Sequence, residues 1–389
     1  VRLAHISLSL EYYPGIARQR MDEARAARAL SGDEWDVYVV SQHWEYGRDG
    51  VNIIMPDVPR ALLGTFPGRG GRISLSGRAL TLNLGPARGA FNRAVERLAP
   101  EYDVVVARYY PGEIVSTPLR HRENVIFLHH TLAVNEMGLR GRLPACVERV
   151  TGPRRQAGAL AIAGVTPEIA QAEARRAGNV HWLVHPNAIE VDRFAPSGGG
   201  YVERGGPLRL VMVAGEFQPW HGLDVILERM AKAPAAPAFE LHIAGQMDKR
   251  LRERVFGLSR IAWHGVLGRN EVDRLLSTAD ICLGSMAMHR VGLTQGSSIK
   301  VRDALARGIP VAAGCADPAL PEDYPWYHRL GADWQWDDVL EFARLSRDVP
   351  RAEVSASARE HIDYVPVMRR FLETLHPLLH RSKAHRPQE

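Results

Sequence analysis

The residues best suited to chemistry lie between Leu283 and Gly314, where Gly296, Ser297, Ser298 and Lys300 follow one another closely. An apolar strand that opens into small residues and then a helix leaves first-turn N–H groups without carbonyl partners. A lysine in that turn adds positive charge, and the combination suits a phosphate. The same pattern also fits one more strand–loop–helix of an α/β sheet with a solvated lysine. Two other places invite a ligand. His129 and His130 stand at the carboxyl end of the apolar run Val125–Leu128, where an imidazole can hydrogen-bond a sugar hydroxyl or a phosphate at neutral pH. Gly15, after the first strand, can bring its N–H close to a ligand, because ligands of open α/β sheets sit beyond the carboxyl ends of the strands; a plain helix-start turn accounts for it equally well.

These residues need strands and helices in alternation to position them, and the apolar runs supply that order. Near-continuous apolar stretches at 2–8, 35–41, 103–107, 125–128, 159–163 and 180–184 predict parallel strands buried on both faces, with an Ala/Arg-rich helix reaching to about Leu30 after the first. After a connector running from His185 to the glycines 198–200, the alternation restarts. Strands are predicted at 208–214, 239–244, 261–263, 281–283 and 309–313. Helices are predicted from Leu223, near Lys249, and over 271–279, 298–307, 334–347 and 352–380. The expected fold class is α/β, with two doubly wound Rossmann-like domains facing across a cleft. Their boundaries are 1–186 for the first domain, 187–207 for a linker and 208–362 for the second. Residues 363–389 form a last helix crossing back to the first domain and a disordered tail from Ser382.

Composition narrows the functional classes. At 389 residues the chain exceeds the size at which one core keeps growing. Cys146, Cys282 and Cys315 are scattered and odd in number, which argues against a disulfide framework or a zinc site. The apolar runs are too short to span a bilayer and nothing near Val1 reads as a signal peptide, so a cytoplasmic protein is expected. The net charge of +5 favours anionic partners. Arginines 60, 69, 72, 78, 88 and 93 are interleaved with Leu62, Leu63, Phe66, Leu75 and Leu80, and a second cluster comprises Arg140, Arg142, Arg149, Arg154 and Arg155. Such mixtures can rest on an anionic membrane or receive a phosphorylated acceptor; solvated arginines are the plainer alternative. No aromatic platform is interleaved with the basic residues, so nucleic acid is not an expected partner.

Four segments in order resemble the GT-B glycosyltransferases of family 4, which are retaining and nucleotide-sugar dependent. The first is His185-Pro186-Asn187-Ala188-Ile189 through Asp192-Arg193-Phe194, and the second is Gly215 with Trp220-His221-Gly222-Leu223-Asp224. The third is Ala262-Trp263-His264-Gly265-Val266-Leu267, and the fourth runs from Lys300 through Gly308-Ile309-Pro310-Val311. The resemblance implies a donor site of Gly215, His221, Val266, Leu267, Arg290, Gly296, Ser297, Ser298, Lys300 and Asp303, with Gly15 contributing from the first domain. It also implies catalytic contacts from His129, His130 and Gln295. Asp303 takes the ribose, backbone groups near Val266 and Leu267 the base, and Lys300 the diphosphate, with His221 or Arg290 assisting. The sequence departs from the family where it usually has two glutamates with seven residues between them, since Gln295 and Asp303 stand there. Glu216 and His221 replace the arginine and lysine of the first loop. Gln295 can hydrogen-bond a sugar hydroxyl but cannot stabilise positive charge on an anomeric carbon.

The expected activity is transfer of a sugar from a nucleotide diphosphate sugar, with UDP as the expected carrier, to a saccharide or lipid-linked acceptor with retention. The expected setting is cell-surface polysaccharide or glycoconjugate synthesis, with peripheral contact at the inner face of the cell membrane. No cofactor and no required metal are expected, since no paired-aspartate motif lies at a strand end. The competing expectations are a catalytically impaired GT-B-like protein that binds nucleotide or sugar as an assembly partner, and a nucleotide-sugar epimerase or hydrolase.

Overall fold

Two parallel sheets organise the chain, each assembled from short apolar strands of the kind that burial on both faces selects. The structure, a computed structural model, describes residues 1–9, 14–32, 34–41, 45–48, 50–54, 72–75, 78–81, 86–112, 123–194, 206–232 and 238–384. By internal contacts the chain divides into two units, Val1–Pro186 with Tyr364–Glu389, and Asn187–Asp363.

The first unit holds seven strands: β1 (Arg2–Leu8), β2 (Glu34–Val40), β3 (Asn52–Ile54), β6 (Val104–Arg108), β7 (Val125–His129), β8 (Ala161–Gly164) and β9 (Trp182–Val184), in the order β3-β2-β1-β6-β7-β8-β9. A separate antiparallel hairpin, β4 (Arg72–Leu75) with β5 (Arg78–Thr81), lies between β3 and β6 in sequence. Alternation sends Ala4, Ile6, Val105, Ala107, Val125 and Phe127 to one face, against Phe91 and Val95 of the helix Pro86–Leu98. The helix Tyr364–Ala384 packs along the helix Pro14–Ser31, and its Phe371 meets Trp35 edge to face at 6.2 Å.

The second unit's sheet contains β10 (Leu208–Glu216), β11 (Phe239–Gln246), β12 (Ile261–Trp263), β13 (Ile281–Leu283), β14 (Val311–Ala313) and β15 (Tyr327–Arg329), in the order β12-β11-β10-β13-β14-β15. One core joins Leu210, Met212, Leu241 and Ile243 to Ile226 and Trp336; the other joins Val211, Cys282 and Val311 to Val301, Leu305 and Val354. The order reverses between β10 and β13. Their carboxyl ends, near Gly215 and Gly284, therefore flank the crevice where doubly wound sheets take ligands.

The single helix expected over 352–380 is instead two, Arg351–Ile362 and Tyr364–Ala384, separated by extended Asp363. A continuous helix would need an N–H at position 366 to reach the Ile362 carbonyl, and Pro366 has none. That carbonyl accepts the Ile189 N–H at 3.0 Å instead, and the Asp363 carboxylate accepts the Val191 N–H at 3.0 Å. The helix Tyr364–Ala384 also runs through Ser382, where the sequence reading begins its tail. The glycines 198–200 and the arginines at 60 and 69, with Leu62, Leu63 and Phe66, lie outside the described residues.

Candidate functional site

In the second unit, the loop after β10, the loop after β13 and the end of β14 are joined by backbone bonds. The Met286 N–H donates to the His221 carbonyl at 3.0 Å, Ala287 to Trp220 at 3.1 Å, and Gly314 to Ser285 at 3.0 Å. Glycine permits this closeness. Gly222 has φ +69°, and a Cβ there would lie 2.9 Å from that of Met286; at Gly296 an added Cβ would lie 3.0 Å from the Cys315 sulfur. Gly215 stands where β10 bulges, and a Cβ there would meet nothing within 4 Å, so the strand end is open.

Lys300 and His221 meet in this frame. The Lys300 Nζ lies 2.7 Å from His221 Nε2, while His221 Nδ1 accepts the Gln218 N–H at 2.9 Å. Burial lowers the Lys300 ammonium to about 8. Burial first, and the Lys300 charge second, push His221 down to about 3, so its ring is neutral. The cation that the sequence lacks at position 221 thus arrives in space from the helix at 300.

The remaining expected residues divide. Gln295 forms a parallel bridge with Ala316, and Gly296 donates to the Ala316 carbonyl at 2.8 Å. Ser298 is the N-cap of the Lys300 helix, without a side-chain cap bond of its own. Ser297 is turned to the junction, where its hydroxyl oxygen accepts the Asn187 N–H at 2.9 Å and its carbonyl accepts from the Asn187 side chain. Arg290 makes a two-pronged pair with Asp224, at 2.8 and 2.7 Å, and bonds the Pro219 carbonyl, so it braces the His221 loop. Asp303 accepts from Arg307 Nε at 2.9 Å, and Arg307 also reaches Asp273; burial pushes the Asp303 carboxyl up, against the pull of Arg307. Val266 is exposed and Leu267 half-buried just past β12, after a turn at Gly265 with φ +70°. A cavity of about 400 Å³ adjoins Thr294 and is bounded also by Met286, His289, Arg329 and Trp334.

Sequence reasoning gave no role to Arg302, which proves central. It is fully buried, its guanidinium forks onto the Asp317 carboxylate, and its Nε donates to the Asn187 carbonyl at 3.0 Å. The only signal was an arginine inside an otherwise apolar helix face.

In the first unit the two neighbouring histidines part company. His129 is buried; its Nε2 meets Gln156 Oε1 at 2.7 Å, its Nδ1 lies 3.7 Å from Glu173, and its ring stacks on Tyr109 at 4.3 Å. His130 is half-buried, and its shielded Nε2 has no hydrogen-bond partner among the described residues. Burial first, then Arg108 and Arg20, hold its pKa well below the usual range. Gly15 is the second residue of the helix Pro14–Ser31. Among the described residues one group has metal-ligand spacing: buried His5, Glu23 and His185. There both histidines hydrogen-bond one Glu23 oxygen, at 2.8 and 2.9 Å, and Arg20 holds the other, an arrangement already neutralised without a cation.

Of the second arginine cluster, Arg155 is structural, lying over the Tyr109 ring at 4.6 Å and bonding the Tyr110 carbonyl. Arg140, Arg142, Arg149 and Arg154 are exposed, beside Leu139, Leu143 and Val150, which are 44%, 51% and 52% exposed. From the first cluster, Arg88 bonds the Tyr110 and Pro111 carbonyls. No helix of the described residues is long and apolar enough to cross a membrane.

Comparison with known proteins settles the architecture. The chain is similar to Anabaena Alr3699/HepE, solved with UDP and glucose, at 13% identity over 97% of this chain and 99% of that one, with a TM-score of 0.60. The fold is GT-B. It is also similar to AviGT4, a glycosyltransferase involved in avilamycin A biosynthesis, at 18% identity, 97% and 98% coverage and a TM-score of 0.54. A third likeness is to WaaG, a glycosyltransferase involved in lipopolysaccharide biosynthesis, at 16% identity, 98% coverage of both chains and a TM-score of 0.54. Residues 209–324 match the family model described as glycosyl transferases group 1. No curated protein sequence matches the chain.

Proposed function

We propose that the protein is a glycosyltransferase that binds a nucleotide diphosphate sugar on its second unit and transfers the sugar, with retention, to a saccharide or lipid-linked acceptor bound by the first. The observation that carries this reading is the approach of Lys300 Nζ to His221 at the switch point of the second sheet, beside the N-terminus of the helix Ile299–Ala306. A buried cation and first-turn N–H groups there are preorganised for a leaving diphosphate, which is where charge develops during transfer. The family match over residues 209–324 falls on the same segment. Asp303 is assigned to the ribose, backbone near Val266 and Leu267 to the base, and Gln295 to a sugar hydroxyl. His130, with its shielded Nε2, is the histidine assigned to substrate in the first unit. UDP is the preferred carrier, supported by its presence in the HepE structure.

The acceptor is proposed to be membrane-proximal, as in polysaccharide or glycoconjugate assembly. The supporting feature is the exposed Leu139, Leu143 and Val150 among exposed arginines, a mixture suited to an anionic lipid surface. The second reading, a GT-B-like binding partner without turnover, is favoured by the neutral Gln295 and by the commitment of Arg290 to Asp224.

A thermal-shift screen with UDP, GDP and ADP sugars, followed by turnover of any that bind, tests the assignment. Stabilisation by one donor, lost in Lys300→Ala and weakened in Asp303→Ala, is expected. Unchanged turnover in both variants refutes the site, and binding without turnover across an acceptor panel selects the second reading.

A further inference from the structure

The proton count at His221 and Lys300 has a consequence for how an anion is received. His221 Nδ1 accepts the Gln218 N–H at 2.9 Å, so that nitrogen carries no proton. A neutral imidazole must then carry its proton on Nε2, the atom 2.7 Å from Lys300 Nζ. An ammonium at that place would set two donors against each other, whereas an amine offers a lone pair to the Nε2–H. We propose that His221 is a positioning residue that favours the neutral amine of Lys300 over its ammonium in the donor-free protein, so that at alkaline pH the donor's diphosphate is taken up together with one proton. This rests on the donor-site reading above.

The surroundings leave the pair to itself. On the His221 loop, Asp224 is bound by Arg290, which comes from the turn Met288–Val291. His289 of that turn is exposed, and Glu216 at the end of β10 is exposed. On the lysine's own helix, Arg302 is paired with Asp317 and Asp303 with Arg307. Asp224, Asp317 and Asp303 are thus each committed to an arginine, while Glu216 and Glu228 are exposed, so a bound diphosphate is the counter-charge that restores the ammonium. Burial agrees, lowering Lys300 to about 8. The sign follows. Below about pH 8 the lysine is already charged and the affinity is level; above it each pH unit removes charged lysine and weakens binding.

The test is calorimetric titration of the full chain with UDP, and with GDP and ADP in parallel, from pH 7 to pH 9. Nucleoside diphosphates keep a terminal phosphate at least about nine-tenths ionised over that span, given a second phosphate ionisation at about 6. We expect affinity about tenfold weaker at pH 9 than at pH 7, with proton uptake approaching about 0.9 per ligand at pH 9, read from the dependence of the enthalpy on buffer ionisation. Lys300→Arg, which keeps its charge throughout, should bind with a flat profile. His221→Asn keeps an acceptor for the Gln218 N–H but removes the Nε2 donor, and should move the fall in affinity to higher pH. A flat wild-type profile, absence of proton uptake, or an unmoved fall in His221→Asn overturns the role of His221 while leaving the donor site standing. Absence of nucleoside diphosphate binding at every pH overturns both.

Discussion

Removing one partner of the Arg302–Asp317 pair is the perturbation with the most to say about how the donor loop is held. Both side chains are essentially inaccessible, at 0% and 1% exposure. Arg302→Met therefore strands a carboxylate whose only other described contact is the Ala319 N–H at 3.2 Å, and Asp317→Asn strands a guanidinium. Breaking a buried pair from one side costs about 3–5 kcal/mol, because the surviving charge keeps its desolvation penalty without its partner. For a folded unit the size of Asn187–Asp363, which carries the pair, each kcal/mol moves the melting temperature by roughly 2–4 °C, so a fall of about 6–20 °C in the transition of that unit is expected in thermal unfolding followed by circular dichroism. The double variant Arg302→Met/Asp317→Leu removes both charges and should recover most of that loss. The loss should also reach the ligand, because Arg302 Nε holds the Asn187 carbonyl, and Asn187 in turn holds Ser297. Nucleoside diphosphate affinity is thus expected to weaken in the single variants even well below their melting temperatures. A single variant that costs less than about 1 kcal/mol, or a double variant no better than the worse single, refutes the view that this pair is an unscreened buried ion pair.

Two further outcomes follow from the first unit and from backbone geometry. Burial, then the Arg20 charge, lowers His5 to about 4, and the neighbouring histidines and Arg20 hold Glu23 well below the usual carboxylate range. Both groups bind protons more readily when unfolded, so stability should fall through His5 as pH drops from about 6.5 towards 4, at up to about 1.4 kcal/mol per pH unit, and through Glu23 only below about pH 4.5. Urea midpoints that stay level or rise between pH 7 and pH 5 contradict this, and His5→Gln should flatten the upper part of the fall. Gly308→Ala should cost at least about 2 kcal/mol, since φ is +75° and the new Cβ would sit 2.0 Å from the Arg351 carbonyl. Gly265→Ala, with φ +70° and nothing within 4 Å, should cost only about 1 kcal/mol; equal costs in denaturant titration show that contact does not govern the difference.

What the sequence disclosed and what it withheld divide along a physical line. Strands such as Val104–Arg108 and Leu208–Glu216 were legible because burial on both faces leaves nearly continuous apolar runs. Strand β15, with Tyr327, His328 and Arg329, was not, since an edge strand needs no such run. Pro366 stood in plain view, yet its effect on the last helices depended on Ile189, which receives the orphaned Ile362 carbonyl from far along the chain. The same holds at the site. Sequence marked His221 as a replaced cation and Lys300 as a remaining one, but the two are 79 residues apart and only folding shows that one stands against the other. His129 and His130 make the case most sharply. His129 closes β7 and enters the Gln156–Glu173 network, while His130 stands in the bend that follows and keeps a shielded nitrogen without a partner among the described residues. Residue type made both candidates; the partners that the distant Gln156 and Glu173 bring to one of them, which no spacing within the strand reveals, separate them.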